Sequence, residues 1–143
     1  MKRREVELKK LFLIYYPQMI EIMRLLAAPP EIQLAAFPTH ENPPEEIAEE
    51  TEYISVLVVT FYHEKLISKL EFEVITEIDG YLKQFSREDW TNEAIQQSDS
   101  WSKMRELART GLGVLGIEYA KPNLYWHPIP IIDTRTGTTG RGE

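Results

Sequence analysis

The 143-residue chain contains no cysteine. That absence excludes a disulfide framework, a thiolate nucleophile and any zinc or iron–sulfur centre held by thiolates. Long apolar runs are missing too. Leu11–Tyr16 is followed by Pro17, Gln18, Glu21 and Arg24, and Tyr53–Tyr62 is short and closed by Glu52, His63 and Glu64. A membrane-spanning helix needs about 20 mostly apolar residues, and a secretory leader needs an unbroken apolar core before a small-residue cleavage site. Neither pattern is present, so a cytoplasmic location is expected. Positive charge is scarce, with 16 Lys and Arg against 23 Asp and Glu and a net charge of −7. Broad wrapping of a polyanion needs a positive footprint, which this composition does not supply.

The negative charge is unevenly placed. Residues 1–25 hold six basic and three acidic side chains, a net +3, while residues 26–143 hold ten and twenty, a net −10. Glu41, Glu45, Glu46, Glu49, Glu50 and Glu52 form an acidic run without an intervening base. Carboxylates are favoured in the first turn of a helix by its dipole, so a solvated helix start is the simplest reading. A basic first helix docking on this run, in the same or another copy, is the alternative.

Length suggests one domain, placed at residues 1–133 with a flexible tail at 134–143. From Leu8 to Leu26 apolar residues recur at spacings of three and four, the mark of one helical face. Pro17 divides this stretch into two helices or kinks a single one. The prolines between Pro29 and Pro44 predict a non-helical crossing pinned to the core by Ile32, Leu34, Ala35, Ala36 and Phe37. Between Glu45 and Asp79 there is no Gly, Pro or Asn, so the turn chemistry of a hairpin is missing. One long helix, or two in tandem, is therefore preferred over 45–85. The β-branched and aromatic run Tyr53–Tyr62 favours strand, which keeps an α+β alternative with a hairpin at 53–62 and 67–76. Ser86-Arg-Glu-Asp89 is a capping-box-like start for a helix over 87–110, with Asp99 able to cap a fresh start and Gly111 as its stop. The expected fold is mainly α, an antiparallel helical bundle with a proline-rich crossing and an extended C-terminal strap.

Catalytic and metal templates fail on named residues. Gly111, Gly113 and Gly116 spell G-x-G-x-x-G, but a helix precedes them and no βαβ unit can follow, so a helix stop with Leu112, Val114 and Leu115 facing the core is preferred. His63-Glu64 begins the H-E-x-x-H zinc motif, yet residue 67 is Ile67. No Glu precedes a His by three, which removes the di-iron carboxylate pattern, and Ser100-Trp-Ser-Lys103 lacks the companion motifs of its class. No catalytic residue, cofactor, metal or small-molecule ligand is assigned.

Two segments have the composition of contact surfaces. Tyr125, Trp126 and His127 lie between prolines that stiffen the backbone, and such a segment either straps back over its own helices or anchors a partner. Lys2, Arg3, Arg4, Lys9 and Lys10 form the basic N-terminal cluster. These residues predict a non-catalytic protein–protein interaction module, an adaptor, regulator or assembly subunit that self-associates. Alternatives are a small enzyme built from dispersed His, Glu and Tyr, for which a pocket around His63 would be the marker, and a weak membrane or nucleic-acid contact through the basic helix.

Overall fold

The computed structural model describes residues 2–127, so the tail expected at 134–143 lies outside the described residues. The elements are α1 (Lys2–Ala27), α2 (Pro30–Ala35), α3 (Pro43–His63), α4 (Lys69–Leu82), a 3-10 turn (Arg87–Asp89), α5 (Asn92–Gln97) and α6 (Asp99–Val114). The fold is mainly helical, as the periodicity predicts, and the hairpin alternative is not supported. Helices α1, α3, α4 and α6 form a closed ring of neighbours. Each neighbour is antiparallel. Phe12 meets Phe61 across α1 and α3, Tyr62 stacks on Phe72 across α3 and α4, and Arg109 reaches the Ala27 carbonyl across α6 and α1.

The break between α3 and α4 is made without glycine. Lys65 takes φ 64°, its N–H bonds the Tyr62 carbonyl, and the Leu66 N–H bonds the Phe61 carbonyl at 2.8 Å. This pair of hydrogen bonds to the last turn is a helix-ending motif usually built on glycine. Ser68 then starts α4 with a reciprocal capping box to Glu71. Residues 45–85 are thus two helices. Phe72, off the apolar stripe of its own helix, is explained by its stacking on Tyr62.

Several expectations are corrected. The crossing is not wholly extended, because Pro30 occupies a helix's first turn, where its missing N–H costs nothing, and α2 follows. Gln33, Phe37 and Pro38 are buried within the crossing, whereas Ala35 is exposed. Gln33 is completely buried. It donates to the Leu25 and Leu26 carbonyls at the end of α1 and accepts from Arg105 of α6 at 2.9 Å. A buried amide satisfied on both sides locks α2 against two helices. The region 87–110 is three elements, not one. Ser86 and Asp89 cap the 3-10 turn, Thr91 caps α5, and Ser98, rather than Asp99, caps α6.

Gly111 does not stop α6. A Cβ there would lie 2.8 Å from Val74, so glycine allows α6 to approach α4 closely. The stop is Gly116, at φ 71°, with the Ile117 N–H bonding the Leu112 carbonyl. Val114, expected to face the core, is exposed. Pro17 neither divides nor ends α1. Its ring is on the exposed side, where water can take up the backbone carbonyl it leaves without a partner.

Candidate functional site

Beyond Gly116 the chain runs extended across α1 and α3. Arg24 holds the Glu118 carbonyl with two bonds of 2.9 and 3.1 Å, and Glu21, itself paired with Arg24, accepts from the Asn123 N–H at 2.9 Å. A turn closed by the His127 N–H on the Leu124 carbonyl then presents Trp126 and His127 to the start of α3. One carboxylate receives both: Glu50 accepts from Trp126 Nε1 at 3.0 Å and faces His127 Nδ1 at 3.0 Å. On the opposite side of the ring, His127 Nε2 lies 3.1 Å from Glu41 and 4.0 Å from Glu46. Phe37 packs edge-on against the imidazole at 4.9 Å.

Two of the carboxylates around the imidazole, Glu41 and Glu50, set its protonation. Burial disfavours the imidazolium, but the hydrogen bond to Glu41 and the charges of Glu50 and Glu41 outweigh it, and the pKa is raised. Glu46 is also raised, by burial and by the charges of Glu41 and Glu49, with His127 opposing. A groove of about 550 Å³ opens beside His127, between α2 and the strap, lined in part by Ile32, Ala36, Lys121, Asn123 and Tyr125.

The expected contact residues separate into two places. Trp126 and His127 are engaged within the chain, while Tyr125 is exposed and stands edge-on to Trp126. The basic cluster is at the far end of the bundle. Arg3, Lys9 and Lys10 are exposed there, Arg4 pairs with Glu64 at 3.3 Å, and Lys2 is placed only by its position in α1. His63 is exposed and is not part of the cluster that formed around His127. Glu41, Glu46 and Glu50 were legible only as members of an acidic run. The i, i+4 spacing of Glu46 and Glu50 put them on one face of a helix, but His127, 77 residues beyond Glu50, left no local trace of the pairing.

The middle of the α1–α3 face carries an apolar surface. Leu11 and Ile14 of α1 are exposed beside the Tyr15–Tyr53 ring contact, and Tyr53 and Val56 of α3 continue the patch, with Val56 62% exposed. Among the described residues no helix is long and apolar enough to cross a membrane. Comparison of the chain with protein families, curated proteins and solved structures gives no match.

Proposed function

We propose that the protein is a non-catalytic interaction module of the cytoplasm that self-associates through the α1–α3 face. The observation that carries this reading is the polarity of that face. Arg3 and Lys10 lie at one end, the exposed apolar group Leu11, Ile14, Tyr53 and Val56 in the middle, and Glu45 and Glu49 at the other. A surface that is basic at one end and acidic at the other is complementary to itself under a two-fold rotation, the symmetry of most homodimers. Turning a second copy about the apolar middle sets each basic end over an acidic end, which steers encounter while the apolar group supplies contact. The same logic disfavours an anionic membrane or a nucleic acid, because the acidic end would be repelled.

Light scattering at low and high salt tests the reading. A dimer is expected at low salt, weakened by added salt, and Ile14→Glu is expected to yield a folded monomer with unchanged helicity. A wild-type chain that is monomeric at every salt concentration, or that instead binds anionic vesicles or an oligonucleotide through residues 1–10, overturns it.

A further inference from the structure

We infer that Glu41, Glu46 and His127 form a binding site for one divalent transition-metal ion of the zinc class, with Glu50 orienting the imidazole from behind. The feature is a mixed nitrogen and oxygen donor set brought together from the α2–α3 connection, the first turn of α3 and the strap. One donor atom from each residue lies within 4.8 Å of the other two. Metal–ligand bonds of about 2.0–2.2 Å in a tetrahedron place neighbouring donors about 3.3–3.6 Å apart. The distances from His127 Nε2, 3.1 Å to Glu41 and 4.0 Å to Glu46, bracket that edge. Rotamer adjustments at the two carboxylates would close the set.

The second ring nitrogen strengthens the assignment. Metal-bound histidines usually donate their other N–H to a carboxylate or carbonyl, which fixes the tautomer and ring plane. Here His127 Nδ1 faces Glu50 at 3.0 Å, and Glu50 is itself held by the Trp126 N–H. The ring can therefore keep its Nδ1 proton on Glu50 and give its Nε2 lone pair to the ion. A proton carried on Nε2 leaves to solvent on loading, and Glu41, which faces Nε2 at 3.1 Å, becomes a ligand. Imidazole with carboxylates suits zinc and its neighbours over the hard cations that prefer all-oxygen shells. Three protein ligands leave a fourth position open. The ion would also join the end of the strap to the start of α3.

Calorimetry with Zn²⁺ on the chelator-treated full chain tests the site, with Mg²⁺ as the comparison. One equivalent of zinc is expected, with little heat from magnesium, and zinc should raise the melting temperature. Glu46→Gln removes a ligand that makes no short bond to the strap, so metal-free melting should stay as in the wild type while zinc uptake is lost. Glu50→Gln leaves the ligands in place and should weaken zinc about 10–100-fold, the usual cost of losing an outer partner. Substoichiometric uptake by the wild type, or equal uptake by Glu46→Gln, overturns the inference. Neither outcome depends on whether the chain dimerises.

Discussion

The two halves of α1 share one helix and one apolar period, yet they live in different surroundings. From Gln18 to Ala28 most residues are buried, including Met19, Met23, Leu25 and Leu26. From Arg3 to Pro17 not one is. The difference comes from the lengths of the neighbours. At 1.5 Å per residue, the 26 residues of α1 span about 39 Å and the 16 of α6 about 24 Å. Helix α6 crosses α1 at Met23 and Ala27, and α4 begins where Tyr16 bonds Glu71. Burial and that carboxylate push the Tyr16 hydroxyl up to about 12, so it stays a neutral donor there. Before Tyr15, α3 and the turn after it are left to cover α1, through Phe12, Leu8 and the Arg4–Glu64 pair. A repeating apolar pattern therefore becomes core in one half and is left partly exposed in the other.

This contrast can be broken by substitution, and the largest effect belongs to the buried half. Leu26→Ala should cost about 2–5 kcal/mol in chemical denaturation, the range for deleting a fully buried leucine side chain. A smaller loss would mean that this end of the bundle collapses around the cavity. Next comes the polar lock at the same end. Gln33→Ala leaves Arg105 and the carbonyls of Leu25 and Leu26 short of partners, and should cost about 1–3 kcal/mol by the same measurement. Wild-type stability in that variant would show that water replaces the amide and that α2 is not needed to close α1. The smallest effect is expected in the other half. Leu13, 72% exposed, should change stability by less than about 0.5 kcal/mol on replacement with alanine. A loss comparable to that of Leu26→Ala would place Leu13 in a second, covered environment and erase the distinction between the halves.

The ease with which each element could be read follows from the range of the forces that form it. The helical face of α1, the capping residues of the 87–89 turn and the boundary at Pro29 depend on neighbours within four residues, so spacing alone exposes them. The α3–α4 break was less visible because its left-handed residue is Lys65, where glycine or asparagine would have advertised it. Helix α2 was hidden by prolines that read as breakers, although Pro30 occupies the one helical position where proline is favoured. The G-x-G-x-x-G string concealed two different uses of glycine. Gly111 removes a side chain from a helix contact, and Gly116 supplies a backbone conformation. Of the contact residues, Trp126 and His127 could be singled out as a stiff aromatic segment, but their acceptors could not.

By itself the sequence determined the local terms: a mainly helical periodicity, the capping pair Ser86 and Asp89, the absence of thiol chemistry, and a basic start set against an acidic remainder. Those features are settled by residue type and by separations of a turn or two. Tertiary structure alone decided which half of α1 became core, because burial depends on how far the other helices extend beside it. It also decided that His127, far along the chain, should lie between Glu41 and Glu50 while His63 stays in solvent. Imidazole and carboxylate attract over a few ångströms in space, and distance along the chain carries no trace of that proximity.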